Sequence, residues 1–205
     1  AGSLEPQEAA ASNPAARYQR IAPGAGLAIT DAEVQTPSDG EGSIILKDIV
    51  EEVYRKPAAE AGAQVQSHSW GTQEYSYTPQ AADLDRFLHE NPESIIVWAA
   101  GNDAASKPMQ TIGSPATAKN CLTVGATLPG LDAAVKVRRE RHANLAINEE
   151  QLRTQPELFS NEHVQHFSGR GPCSDGRLKP DIVLPGLVQS ARSNGRLANT
   201  NCCLK

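Results

Sequence analysis

Two short stretches place polar residues where a strand should stop. Residues 95–100 read I-I-V-W-A-A, an apolar run too short for a helix and rich in β-branched and aromatic side chains. A strand buried on both faces of a parallel sheet reads this way. Gly101-Asn102 ends the run, so an amide sits at the carboxyl end of a strand, where ligands and chemistry collect in open α/β sheets. On this stretch alone, an ordinary Gly-Asn turn explains the residues better. A second strand, residues 63–67, ends in His68-Ser69-Trp70-Gly71.

The other reactive side chains have weaker contexts. Ser114 and Ser168 stand in G-S-P and F-S-G, not in the G-x-S-x-G of a nucleophile elbow. His163-x-x-His166 has the spacing of a metal pair, but two histidines in a polar segment are more often simply solvated. His89 falls near the end of a helix, where a cation is mildly favoured. Cys121, Cys173, Cys202 and Cys203 form no C-x-x-C pair, which argues against structural zinc. Cys121 reads as a small buried hydrophobe. Cys173 and the Cys202-Cys203 pair lie in loop-like sequence and could form one disulfide in an oxidising compartment. Gly24-x-Gly26 precedes a strand instead of following one and has no third glycine, so a dinucleotide site is not expected.

The elements that position these residues alternate. A turn at residues 21–26 feeds a short strand, residues 27–30, and residues 31–42 are acidic and turn-rich. From Ser43 the apolar residues Ile45, Leu46, Ile49, Val50, Val53 and Tyr54 have helical spacing, with Ser43 or Asp39 as cap. Pro57 weakens or ends this helix, and Gly62 closes the unit. Thr78-Pro79 starts a second helix with Ala81, Leu84, Phe87 and Leu88 on its buried face, ended by Asn91-Pro92. Further strands follow at 94–100, 121–126 and 181–184. Such alternation predicts an α/β fold with a parallel central sheet and helices on both faces. Residues 128–165 break the rhythm with charged and polar sequence, and are expected to form a surface insertion.

Composition narrows the function. With 39% hydrophobic and 21% charged residues the chain can build a core. A net charge of −5 without a basic stripe predicts no nucleic-acid partner. No apolar run has membrane-spanning length, so no membrane partner is expected. The chain opens at Ala1, which suggests a processed or excised amino terminus.

Five stretches now combine: S-H-S-W-G (67–71), A-A-G-N-D (99–103), S-P-A-T-A-K-N-C-L-T-V-G-A (114–126), F-S-G-R-G-P (167–172) and D-G-R-L-K-P-D-I-V-L-P-G (175–186). Together, in this order and at strand ends, they closely resemble the subtilisin-like serine proteases, in the branch with N-S-W-G and F-S-S-R-G-P. The resemblance covers nearly the whole chain apart from 128–165. Ala1-Gly2-Ser3 looks like the tail of the family's H-G-T-H-V-A-G-S, and residues 201–205 like the segment before G-T-S-M-A. By this resemblance the chain is the central part of an incomplete peptidase domain, residues 1–205. The catalytic aspartate, histidine and serine would all lie outside it. Asp31 lacks the family's D-T-G or D-S-G context, and His68, His89, His142, His163 and His166 lack H-G-T-H.

The same resemblance implies the site. Asn102 matches the asparagine whose side-chain amide binds the oxyanion. Ser69, Trp70 and Gly71 would form one edge for an extended polypeptide substrate, and Ala99, Ala100 and Gly101 would wall the primary specificity pocket. Trp70 serves equally well as a core aromatic. His68 replaces the usual Asn of N-S-W-G, and Gly169 replaces the usual second Ser of F-S-S-R-G-P, a mild departure in a turn. The implied function is a serine endopeptidase needing no cofactor or metal, with polypeptide substrates and the missing flanking segments of its own domain as partners. A secreted or extracellular setting is weakly favoured. As it stands, without a triad, the chain is expected to be inactive. The alternative is a non-catalytic binding or structural protein keeping this fold. An unrelated nucleotide-binding α/β protein is disfavoured by the missing phosphate loop.

Overall fold

A computed structural model of the chain describes residues 22, 24–29, 34–35, 43–44, 48–128, 154 and 163–186. Most of these belong to one compact unit, Ala28–Gly186. Its first elements are two short strands, β1 (Val34–Gln35) and β2 (Ser43–Ile44), paired antiparallel. They differ from expectation: Ser43 lies in a strand and is not a helix cap, while Asp39 lies outside the described residues. The expected strand at 27–30 is also not formed over 27–29, where Leu27 is 82% and Ile29 86% exposed. A strand exists only through a ladder to a neighbour. None of the pairings among the described residues includes 27–29.

The first helix begins later than its apolar spacing suggested. A π-helical segment, Val50–Arg55, runs directly into α1, Lys56–Ala61. Asp48 Oδ1 accepts the Glu51 N–H at 3.0 Å, the service expected of Ser43 or Asp39. Pro57 does not stop the helix but sits in the first turn of α1, after the widened turn. Gly62 ends it in the left-handed region, φ 64°, with its N–H on the Ala58 carbonyl at 3.0 Å.

Four parallel strands follow, side by side in chain order: β3 (Val65–His68), β4 (Ile95–Ala99), β5 (Leu122–Thr127) and β6 (Ile182–Pro185). Between β3 and β4 lies α2 (Pro79–Glu90), with Thr78 as cap and Ala81, Leu84, Phe87 and Leu88 buried, as its spacing predicted. Asn91 ends it by donating both its N–H and its amide to the Phe87 carbonyl. The parallel α/β sheet is therefore present.

Its two faces differ. On one, Ile96 and Trp98 join Val53, Tyr54, Leu84 and Phe87 in the core. The alternating side chains of β4 and β6, Ile95, Ile182 and Leu184 among them, are exposed on the other. Among the described residues, the helices cover a single face.

The connection from β5 to β6 contains 128–165, most of it outside the described residues. Its two ends meet: Leu128 N–H donates to His163 O at 2.7 Å and Gln165 N–H to Ala126 O at 2.8 Å. An antiparallel bridge between Thr127 and Val164 joins the same point. The insertion thus leaves and re-enters at the end of β5 and need not disturb the sheet.

Lys179 ties β6 to β5. Its ammonium is 6% exposed and donates to Cys121 O at 2.9 Å and to Asp181 Oδ2 at 2.6 Å. The same carboxylate oxygen accepts the Thr123 N–H at 2.6 Å. Only the lysine side of this pair is buried: the Asp181 side chain is 34% exposed, so water can take over part of its solvation if Lys179 is lost, whereas losing Asp181 strands a buried ammonium. Lys179→Ala is expected to lower unfolding stability by about 1–3 kcal/mol, measured by urea titration, because it removes charge-assisted hydrogen bonds and leaves the Cys121 carbonyl without its donor. Lys179→Met with Asp181→Asn should lose less, because neither charge is then stranded.

Candidate functional site

The carboxyl end of β4 is held from three sides. Ala100 N–H donates to Val124 O at 3.0 Å, Gly113 N–H to Ala100 O at 3.2 Å and Gly169 N–H to Gly101 O at 2.8 Å. Segments 111–113 and 168–170 are in turn locked together: Thr111 N–H donates to Arg170 O at 2.8 Å, and Arg170 N–H to Thr111 Oγ1 at 3.0 Å. Gly101 has φ 101°, a conformation that L side chains rarely adopt. Ala100 is buried in the core, whereas Ala99 is exposed.

Asn102 follows this anchored turn and precedes a 3₁₀ turn, Asp103–Ala105, with φ −122° and ψ 14°. Its side chain is exposed and makes no capping bond. Asp103, beside it, accepts the Gln73 amide at 3.3 Å, linking this turn to the loop that follows β3. The backbone around Asn102 is therefore fixed while its amide stays uncommitted among the described residues.

The end of β3 lies alongside. His68 pairs in register with Trp98, so Ser69 emerges next to Ala99. Trp98 Nε1–H donates to the Trp70 carbonyl at 2.7 Å, pulling the 69–71 segment towards β4. Ser69 and Gly71 are exposed, and Trp70 is half-buried with its ring 4.9 Å from that of Trp98. Beyond them, Thr72 N–H donates to Ser114 O at 2.9 Å and Ser114 N–H to Glu74 O at 2.8 Å, a brace along the outer loop.

An uncommitted amide on a rigid strand end, flanked by an exposed backbone edge, suits the binding of a peptide and of a developing negative charge. The subtilase family model matches residues 7–203, spanning this whole arrangement. The chain belongs to the subtilase family. It is 30% identical, over 94% of its length, to the serine protease/ABC transporter B family protein tagB of Dictyostelium discoideum. The tagD protein of the same organism is 31% identical over 72% of the chain. Pyrolysin of Pyrococcus furiosus is 32% identical over 82% of it. The chain spans 12%, 11% and 11% of these relatives' own lengths.

In this subtilase chain, the remaining candidates have other duties. The Ser114 hydroxyl is buried and bonded to Thr78 Oγ1, and Ser168 Oγ accepts the Ala126 N–H at 2.9 Å. Cys121 and Cys173 are buried free thiols, so Cys173 has not formed the disulfide its loop context allowed. Burial pushes both thiols above their usual pKa, away from the thiolate form a nucleophile needs. His68 is a core residue, His89 is exposed at the end of α2, and His166 lies against the Phe167 ring. Among the described residues no three metal-binding side chains gather. Asp31, His142, Cys202 and Cys203 lie outside the described residues.

Three supports were not legible in the sequence. The Asp85 carboxylate accepts the Lys119 N–H at 2.8 Å, the Asn120 N–H at 2.7 Å and the Tyr77 hydroxyl at 2.8 Å, seating the turn before β5. Arg170 donates to Gln165 O at 3.2 Å and steadies the 165–170 turn. Asp85 is an ordinary charge on a helix in the sequence, and Arg170, although inside F-S-G-R-G-P, gives no hint of the carbonyl it meets.

The third is Gly169, read as a mild departure from the family pattern. A Cβ there would overlap the Ala100 carbonyl oxygen and press on Thr111 O at 2.9 Å. Backbone atoms cannot retreat as a flexible side chain can, so in this packing only glycine fits. Gly169→Ala is expected to destabilise the protein by at least about 1–3 kcal/mol in denaturant unfolding. Gly176→Ala is the control: φ 85° gives it backbone strain, but its Cβ meets nothing within 4 Å.

Proposed function

We propose that the protein is a subtilisin-like serine endopeptidase, and that this chain supplies its oxyanion donor and most of its substrate cleft. The carrying observation is Asn102, whose amide has no partner among the described residues and sits on a backbone fixed at Gly101 by the Gly169 contact. Attack on a peptide carbonyl places negative charge on its oxygen, and a donor fixed beforehand at that point lowers the barrier. Asn102 would give that hydrogen bond. An extended polypeptide would lie against Ser69, Trp70 and Gly71, with Ala99, Ala100 and Gly101 bordering the primary pocket. Ala99 and Gly101 are accessible for this, whereas buried Ala100 would contribute through its backbone.

The aspartate, histidine and serine of the triad would come from segments flanking this chain in its own domain. In support, Ile95, Val97, Val124, Ala126, Ile182 and Leu184 share the sheet face that the described helices leave open. A contiguous apolar face of this kind marks a surface that something covers. The flanking segments would cover it.

In the full-length protein, Asn102→Ala should lower kcat by roughly 10²–10³, a magnitude borrowed from the corresponding asparagine of subtilisin. KM should barely move, because the backbone contacts at 69–71 remain. Asn102→Asp should be at least as damaging, since a carboxylate removes the donor and repels the developing charge. A variant that melts at a lower temperature yet keeps full kcat would reduce Asn102 to a turn residue.

A fluorophosphonate should label the full-length protein at one serine outside residues 1–205, read by peptide mapping, because labelling needs a serine activated by a base. Absence of any label would favour a non-catalytic protein of the same fold.

A further inference from the structure

His68 is the last residue of β3 and faces the core, although the polar sequence around it gives no hint of that. Its ring stacks on the Trp98 indole, with centroids 4.4 Å apart and planes 14° from parallel. Tyr54 meets it edge-on at 5.9 Å. Within this sandwich, Nδ1 accepts the indole N–H of Trp70 at 3.3 Å. The imidazole proton must then sit on Nε2, which is buried and finds no partner among the described residues. A buried donor without an acceptor is costly, and the arrangement keeps it while satisfying Trp70. Trp70 is thereby held at both ends: its indole N–H by His68, its carbonyl by Trp98.

We propose that His68 is a positioning residue for the substrate edge: neutral imidazole clamps the Trp70 indole and so aligns Ser69, Trp70 and Gly71, and protonation opens the clamp. An imidazolium has donors on both nitrogens, so Nδ1–H would face the Trp70 N–H, donor against donor. The stacked indole of Trp98 would attract a cation, which opposes this effect. Burial lowers the His68 pKa from 6.5 to about 4.

The groups around the ring do not rescue the charge. From the π-helical segment comes the Tyr54 phenol, itself raised in pKa by burial, with the Cys121 thiol and Asp83 acting on Tyr54. Trp98 on β4 and Trp70 beyond β3 are not titratable. Burial is the sole cause of the His68 shift, and no carboxylate contributes to it.

The sign follows from the lowered value. Above about 6.5 both folded and unfolded chains hold His68 neutral, and its contribution to stability is complete. As pH falls towards about 4 the unfolded chain takes up the proton first, so stability is lost across that window. Clamp opening in the folded protein belongs at its acid end.

The proposal presupposes the substrate edge proposed above, and its test has one arm that does not. In the full-length protein, KM and kcat for a peptide substrate are measured from pH 8 to pH 4 for wild type, His68→Asn and His68→Phe. Asparagine offers its side-chain oxygen where Nδ1 lies but does not titrate. Phenylalanine keeps the stack but has no acceptor. Wild-type KM should rise towards pH 4, His68→Asn should remove that rise, and His68→Phe should raise KM about three- to ten-fold at every pH. The second arm follows the ¹⁹F resonance of 5-fluorotryptophan at position 70, assigned by its loss in Trp70→Phe. It should shift with acid in wild type and not in His68→Asn, whether or not the protein cleaves peptides. An acid shift of that resonance without a matching KM change would overturn the link to substrate. An unchanged resonance, or wild-type KM in His68→Phe, would overturn the clamp itself.

Discussion

The indole of Trp98 is where the core and the strand ends meet. Its ring is buried, in edge contact with Tyr54 and stacked under His68, so it belongs to the apolar layer between sheet and helices. Its N–H leaves that layer and reaches the Trp70 carbonyl, and burial strengthens the demand for a partner there. One side chain thus joins the packing of the two helices to the position of the 69–71 segment. Phenylalanine at 98 would fill part of the volume and leave that carbonyl without its donor. The fold and the position of the 69–71 segment are consequently not independent features of this chain.

A second constraint acts through backbone alone. Gly113 and Gly169 bring backbone closer than a side chain allows, against Thr72 O and Ala100 O, while Gly101 turns at a φ of 101°; Gly113 N–H donates to Ala100 O and Gly169 N–H to Gly101 O. The backbone on either side of Asn102 is rigid for that reason. The exposed loop around it can vary without moving Asn102, since its anchors are in the sheet and in the 168–170 turn.

The sheet is asymmetric in a way that bears on the whole protein. Among the described residues, the helices that join the core lie towards the face of Ile96 and Trp98, and the opposite face presents aliphatic side chains. An α/β sheet with a helix layer on one side has buried only half of what its strands offer. That asymmetry accords with a chain spanning about a ninth of the relatives it matches.

Much of this was legible in the residues themselves. Helix α2 was readable from Thr78-Pro79 to Asn91 because its apolar spacing, cap and stop agree, and each is a local property of the chain. Strands β4 and β5 were readable because β-branched runs ended by glycine leave few alternatives. The five family stretches led to the subtilase family, and with it to Asn102. Local sequence could not decide pairing. Residues 27–29 have the composition of a strand but no ladder, whereas Val34–Gln35 sits in turn-like sequence and is paired. The first helix began after Ser43 because residues 43–44 entered a strand instead. Nor could it show that Gly169 faces a carbonyl, that Lys179 is buried against Asp181, or that His68 stacks on Trp98. Gly169 and Ala100 lie 69 positions apart and His68 and Trp98 lie 30 apart, while Lys179 and Asp181, two apart, meet over Cys121 and Thr123 only because the fold lays them against β5. Only the fold brings them together, and burial then turns ordinary polar side chains into fixed partners.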